Sequence, residues 1–491
     1  MRSVECFTFG PFELDARHRR LARAGEAIAI SDRQIDLLLL FVSNAGQVLS
    51  KDALIEAAWP GIAVTDNSLE QAISSLRRTL GSGPGGAAYI ETLARRGYRF
   101  AADVARTAAR ETDAALEALL APHRAWVDGR AALETLERRR VVQARDAFQG
   151  VVDVAPSYAA AHVGLASACV MQFEATRADE TPDTEALAKA AEHAREACRL
   201  ESESGEAWAT LGFVLSRTGQ STDAIAALRR AVTLEPDNWR HHFRLSYVSW
   251  GEARLRAAQR TLALLPGLPL AHWLAATVHV ARQVLKEADR ELTAGIASID
   301  DRSAEHARFG FVALHWLRGL MALARDDERR ALEAFERELS FESAGHLYAR
   351  ECCSNTWYAI GALKLRRGQT AEAEAAFQHA LQRVSRHPFA RIGLHAAAGG
   401  LMEPSASAPD ADPASPERGE PLPSAEAALV QAARLVLGGR AADAARLMDR
   451  ALAATEPGDS AWLLPVEPLV NVSTRPDLWT GALARLRARA A

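Results

Sequence analysis

Between Trp208 and Pro236 the chain reads Trp208-x2-Leu211-Gly212-x2-Leu215, then Ala224-x3-Leu228, Ala231 and Pro236. The same wording returns as Trp357-x2-Ile360-Gly361 with Ala373, Phe377 and Ala380. No other feature constrains the fold as tightly. A unit of about 34 residues that keeps small residues at fixed places describes two helices in close approach. Gly and Ala let their backbones come together, and Trp, Leu and Phe fill the gaps between them. One such unit cannot bury its apolar face alone, so copies must stack. Weaker copies lie around His162 to Ala166 with Ala190, Ala194 and Ala197, around Leu245 to Leu262, around His315 to Phe335, and over Ala428 to Ala451. Past residue 105 the chain is rich in Ala, Leu, Arg and Glu with almost no strand signal, which predicts an all-α array.

The first hundred residues follow other periods. Leu69, Ile73, Leu76 and Leu80 fall on one side of a predicted helix and must be buried. Asn67, Gln71, Ser74 and Arg78 fall on the opposite side, with Ser75 and Arg77 at the flanks. Asn67 with Glu70 forms a start signal, and Gly81 a stop. Amide, hydroxyl and guanidinium groups match base-edge donors and acceptors in a major groove. By itself the helix serves equally well as an ordinary amphipathic one with a solvated face. The segment after it decides: Tyr89 to Leu93 and Tyr98 to Ala101 are β-prone runs around Ala94-Arg95-Arg96-Gly97, a hairpin with two positive charges at its tip. Upstream, residues 7 to 30 alternate apolar and polar and predict a small antiparallel sheet. Ser31 with Gln34 caps a first helix closed by Asn44-Ala45-Gly46, and Ser50 caps a second. Helices followed by a basic hairpin make a winged helix.

The order of elements and the wording IETLARRGYRF resemble the effector domain of OmpR/PhoB-type transcription regulators, in particular the CadC/ToxR/HilA-like subgroup in which that domain opens the chain. The resemblance covers residues 1–104. It implies that the third helix enters the major groove of promoter DNA and that the wing approaches the adjacent minor groove or backbone. The candidate DNA contacts are then Asn67, Gln71, Ser74, Ser75, Arg77, Arg78, Thr92, Arg95, Arg96 and Arg99. The chain departs from many members in having Ala94 and Arg95 where they have arginine and glycine. In the family the loop corresponding to Pro60 through Thr65 touches RNA polymerase. No receiver domain precedes the sheet, so phosphorylation of an aspartate in cis is not the expected switch. The helical units resemble tetratricopeptide repeats, which implies a protein or peptide partner on a concave face.

Charge bears on the DNA reading from two sides. The chain of 491 residues carries a net charge of −4, and residues 1–104 hold twelve Arg plus Lys against twelve Asp plus Glu. Within residues 74–99, however, Arg77, Arg78, Arg95, Arg96 and Arg99 face only Glu91, which focuses positive potential on the helix and hairpin. Five scattered cysteines argue for thiols in a reducing compartment, with the adjacent Cys352 and Cys353 read as buried helix residues. No signal core and no apolar run of membrane-spanning length is present, so a cytoplasmic protein without a membrane partner is expected.

The expected architecture is multidomain: an α+β winged helix-turn-helix over residues 1–104, a tetratricopeptide-type helical solenoid over 105–402, a disordered Pro/Ser/Ala-rich insert over 403–424, and a final repeat with capping helices over 425–491. Residues Gly81 through Gly86 formally satisfy G-x-G-x-x-G, but in the order helix then strand, the reverse of a dinucleotide site. His241, His242, His272 and His279 lack ligand partners at metal spacing, and Trp208, Trp250, Trp273, Trp316 and Trp357 read as repeat core rather than a ligand cage. No catalytic motif, cofactor or metal is expected. The leading expectation is a sequence-specific transcription regulator whose repeats receive a protein or small-molecule signal. Its rival is an interaction scaffold in which the winged helix is a docking module.

Overall fold

The structure, a computed structural model, describes residues 6–16, 19–59, 66–82, 88–94, 96–107, 124, 126–133, 135–300, 312–400, 423–454 and 461–491. Two compact units divide the chain, Met1–Gln172 with Thr184–His241, and Phe173–Asp183 with His242–Ala491.

The first unit opens with β1 (Cys6–Phe9), β2 (Phe12–Asp15), β3 (Arg20–Arg23) and β4 (Glu26–Ile28). After them come α1 (Asp32–Ser43), β5 (Val48–Leu49), α2 (Lys51–Ala58), α3 (Asp66–Leu80), β6 (Ile90–Leu93), β7 (Gly97–Phe100) and β8 (Ala105–Thr107). They form an antiparallel sheet ordered β4-β3-β2-β1-β8 and a second ordered β5-β7-β6. The strand β8 places Thr107 opposite Cys6, so the sheet runs past the boundary at 104 expected from the sequence. Backbone pairing to an edge strand needs no side-chain signature, and Ala105-Arg106-Thr107 carries none.

Local capping fixes α1 as expected: the Gln34 backbone N–H donates to Ser31 Oγ, and the Ser31 N–H donates to Gln34 Oε1 at 3.0 Å. The start of α3 differs. The helix already includes Asp66 and Asn67, and Glu70 bonds Lys51 Nζ at 3.1 Å. This ion pair ties the start of α3 to α2. Phe9 and Phe12 from the first sheet meet Tyr89, just ahead of β6, and Phe100 of β7, with ring centroids 5.2 to 5.7 Å apart for Phe9 on Tyr89, Phe9 on Phe100 and Phe12 on Tyr89. Two glycines are obligatory here. Gly10 has φ +53° and a Cβ on it would overlap the Tyr89 hydroxyl, while Gly97 has φ +120° and would drive a Cβ into Leu49 O.

The helices that follow are α4 (Arg138–Val154), α5 (Ala159–Thr176), α6 (Thr184–Leu200), α7 (Gly205–Arg217), α8 (Ser221–Leu234) and α9 (Trp239–Val248). The second unit continues with α10 (Gly251–Leu264), α11 (Pro269–Ala281), α12 (Leu285–Asp300), α13 (Leu314–Leu323), α14 (Glu328–Leu339), α15 (Ala349–Arg366), α16 (Thr370–Arg383), α17 (Pro388–Ala397), α18 (Ala425–Leu437), α19 (Ala441–Ala454) and α20 (Pro476–Ala490). The pairs α7 with α8, α11 with α12, α13 with α14, α15 with α16 and α18 with α19 each pack side by side.

One contact recurs through these pairs. A Cβ on Gly212 would stand 2.7 Å from Leu228, one on Gly361 would stand 2.6 Å from Phe377, and one on Gly319 would overlap Phe335. In each the large side chain follows by sixteen residues (212 to 228, 319 to 335, 361 to 377), across the turn from the first helix to the second. The pair α11 with α12, not singled out from the sequence, buries Ala276 and Val280 in one cluster with Ala288 and Leu292 without the Trp-x2-Leu-Gly wording.

Cys352 and Cys353 are buried on α15, and burial pushes the Cys353 thiol up to about 12, which leaves it a packing residue. The expected insert lies, all but its last two residues, outside the described residues, as do Gly83 through Gly86. Near the C-terminus α20 buries Trp479 and Leu486, as a closing helix should. Among the described residues no helix is long and apolar enough to cross a membrane.

Gly361→Leu should destabilise the second unit by about 3 kcal/mol through overpacking against Phe377. Gly150→Ala, on an α4 face where an added Cβ meets nothing within 4 Å, should not lower stability. Melting curves of the two variants followed by circular dichroism check this; equal midpoints would refute the close approach.

Candidate nucleic-acid interface

Helix α3 has the two-sided construction its sequence demands. Leu69, Ile73, Leu76 and Leu80 are fully buried, while Gln71, Ser74 and Arg78 are exposed. The side chain of Asn67 lies outside the described residues.

The remaining candidates divide by what holds them. Ser75 is half-buried, and its Oγ accepts from Gln34 Nε2 at 2.7 Å, which ties α3 to the start of α1. Arg77 reaches the other way: its Nε donates to Ile90 O at 2.9 Å and its Nη2 to Thr92 Oγ1 at 2.7 Å, with the guanidinium 5.9 Å from the Tyr98 ring centroid. Arg77 and Thr92 therefore latch the helix to the hairpin. Arg99 stands opposite Glu91 across β6 and β7 and bonds its carboxylate at 2.6 Å. Arg96 is exposed at the tip, where its backbone N–H closes the turn onto Leu93 O at 2.9 Å. Arg95 and residues 60–65 fall outside the described residues. One neighbour was not anticipated: Lys51, the residue after the Ser50 cap, meets α3 through Glu70. Its only sequence signal was a positive charge at the start of α2.

The structure thus leaves Gln71, Ser74, Arg78 and Arg96 turned to solvent and uses Ser75, Arg77, Thr92 and Arg99 as ties. The exposed set offers one amide, one hydroxyl and two guanidinium groups, a combination suited to base edges and phosphates.

The start of α1, which also touches α3, faces the repeats within the same unit. Arg19 has φ +51°; its Nη2 bonds Asp36 Oδ1 at 2.6 Å and its guanidinium lies 3.9 Å from the Tyr158 ring centroid. Arg33 Nη2 meets Glu235 Oε1 at 3.1 Å. Glu235 also accepts from the Gly205 N–H at 3.2 Å, Asn238 Nδ2 at 2.9 Å and His241 Nε2 at 2.8 Å. Burial works against its carboxylate, yet Arg33 and these donors outweigh burial and hold the carboxyl well below the usual range. Glu201 is treated differently by the same surroundings: burial, with Asp32 nearby, pushes its carboxyl up to about 7.

Residues 25–100 match the family described as transcriptional regulatory protein, C terminal, and residues 205–238 match the tetratricopeptide repeat. The N-terminal domain is an OmpR/PhoB-type winged helix. Its relatives include the transcriptional activator CadC of Escherichia coli (strain K12), 37% identical over 81 residues, which covers 16% of this chain and 16% of CadC. The transcriptional regulator HilA of Salmonella typhimurium (strain LT2) is 34% identical over 94 residues, covering 19% of this chain and 17% of HilA. The solved DNA-binding domain of E. coli CadC is 30% identical, with 22% of this chain and 100% of that chain covered and a TM-score of 0.20. The chain spans about a sixth of the length of CadC and HilA.

Two expectations follow for the winged helix and its seat. Arg77→Ala should lower the melting midpoint, since it removes two hydrogen bonds at about 1 kcal/mol each. Arg78→Ala should shift stability by no more than about 0.5 kcal/mol. If the two variants melt alike by circular dichroism, the latch is absent. For Glu201, a carboxyl raised in the folded state binds more protons than the unfolded chain between about pH 4.5 and 7, so it erodes stability as pH rises through that window. Glu201→Gln should therefore raise the midpoint at pH 8 relative to wild type by more than it does at pH 4; a pH-independent difference would refute the assignment.

Proposed function

We propose that this chain is a sequence-specific DNA-binding transcription regulator. In this reading α3 enters the major groove, where Gln71, Ser74 and Arg78, with Asn67 near the helix start, meet base edges and flanking phosphates. Arg96 at the hairpin tip meets phosphates of the adjacent groove, together with Arg95, its neighbour in sequence. Ser75, Arg77, Thr92 and Arg99 act one step back, by fixing the helix and the wing to each other. The observation that carries the reading is the exposed polar face of α3 on a helix whose other face is wholly buried. Kinship with transcription regulators over this domain supports it.

The loop from Pro60 to Thr65 is the place for an RNA polymerase contact, and the repeats receive a protein or small-molecule signal. The protein works in the cytoplasm, beside the DNA, and performs no catalysis of its own. The neutral charge of residues 1–104 favours one second reading, a scaffold whose winged helix docks on protein.

Gln71→Ala and Arg78→Ala should each weaken binding to a specific site by about 1 to 3 kcal/mol. Arg96→Ala should weaken binding to every duplex and reduce the slope of log affinity against log salt by about one unit. Genome-wide mapping of DNA bound by the intact protein supplies the site, and fluorescence anisotropy measures the variants. An intact protein that binds no duplex, even at low salt, would leave only the scaffold.

A further inference from the structure

The second unit contains a stretch that is neither helix nor strand for most of its length, Ala461 to Asn471, reading AWLLPVEPLVN. A single 3₁₀ turn, Leu464–Val466, interrupts it, and left-handed residues bracket it, Ala461 at φ +40° and Asn471 at φ +43°. Both are non-glycine residues in a conformation that L side chains resist.

This stretch crosses the first helices of three successive pairs. Trp462 stands edge-on to Trp273 of α11 at 5.9 Å and to Trp316 of α13 at 6.4 Å. Val466 is buried in the cluster that holds Leu317 and Leu320 of α13. Glu467 is buried, and the Tyr358 hydroxyl of α15 donates to its Oε1, which also accepts from the Leu469 N–H at 3.1 Å. The segment is mostly turn and 3₁₀ and lies on first helices of consecutive pairs, the face on which such arrays hold a separate peptide. The occupant here belongs to the chain itself.

Its fit is incomplete in a particular way. The indole N–H groups of Trp273 and Trp316 are buried and have no hydrogen-bond partner among the described residues. Two donors on the floor of the groove, on adjacent repeats, are left without acceptors by the segment above them, and a buried donor left unmade weakens whatever covers it. Burial also pushes the Glu467 carboxyl up to about 7, so the segment places its carboxylate where water would hold it better.

We propose that the surface formed by Trp273, Trp316 and Tyr358 is a binding groove for an extended segment of another protein, and that residues 461–471 occupy it until that partner displaces them. The partner carries an aromatic residue in the place of Trp462 and presents acceptors to the two indoles. The inference does not rest on the DNA-binding reading: a chain that bound no DNA would still have this groove.

The test uses the full chain and a fluorescein-labelled synthetic peptide of residues 461–471. In the wild type the tethered segment competes at millimolar effective concentration, so the peptide should bind poorly. Trp462→Ala should bind it at least tenfold more tightly than wild type, and adding Trp273→Ala should abolish that gain. A folded Trp462→Ala variant with no gain, or a gain that survives Trp273→Ala, would overturn the proposal. Hydrogen exchange on the wild-type chain keeps it testable even if Trp462→Ala misfolds. Amides of 462, 463, 469 and 470 should exchange through a local opening, ahead of those in α11, α13 and α15. Exchange only together with those helices would make the segment permanent core and overturn the idea. Light scattering closes the remaining route: a dimer of the variant dissolved by the peptide would make a second copy the occupant, and the assignment to another protein would fall.

Discussion

A large side chain seated on a glycine sixteen residues earlier sets the spacing on which the repeat array depends. Phe335 on Gly319 and Phe377 on Gly361 bring two helix backbones closer than any side chain would permit, and the rings then fill the space between them. Because the spacing in sequence is constant, the turn between the helices is constant too, and each pair leaves its apolar edge ready for the next. Phe335 and Phe377 are also fully buried, which makes these contacts the centre of the array and not its trim.

The winged helix solves a different problem. A helix of fifteen residues has to bury one side completely and still leave the other open to solvent. Buried leucines fix its depth but not its rotation or tilt. Gln34 on one side and Ile90 with Thr92 on the other supply those, through Ser75 and Arg77. The seat on the repeats is electrostatic in character: Arg19, paired with Asp36 inside the domain, lies over the Tyr158 ring, and Arg33 meets Glu235.

Helical periodicity, caps and the repeat wording were readable from the residues alone, because each depends on neighbours within a few turns. The division of the DNA-contact candidates was not. A helical wheel places Ser75 and Arg77 at the flanks of the exposed face, but whether a flank meets solvent or a neighbour depends on Gln34 for the first and on a hairpin thirteen or more residues away for the second. The same limit explains Glu70, which looked like half of a cap and became the partner of Lys51. It explains the pair α11 with α12, packed by alanine and valine in place of the glycine signature. Trp273 and Trp316 were read as repeat core, but Trp462, almost two hundred residues beyond Trp273, comes to lie against both. No local pattern announces a contact of that separation.

The Arg77 latch makes α3 and the hairpin, in the function proposed for them, two jaws of one caliper. A duplex engaging both must offer its major groove and its flanking backbone at a single separation. Groove width varies with base sequence through stacking and stiffness. A domain that reads DNA in this way would therefore reject some sites by their shape, at base pairs that no side chain touches, and loosening Arg77 would widen the range of sequences accepted before it weakened the grip on any of them.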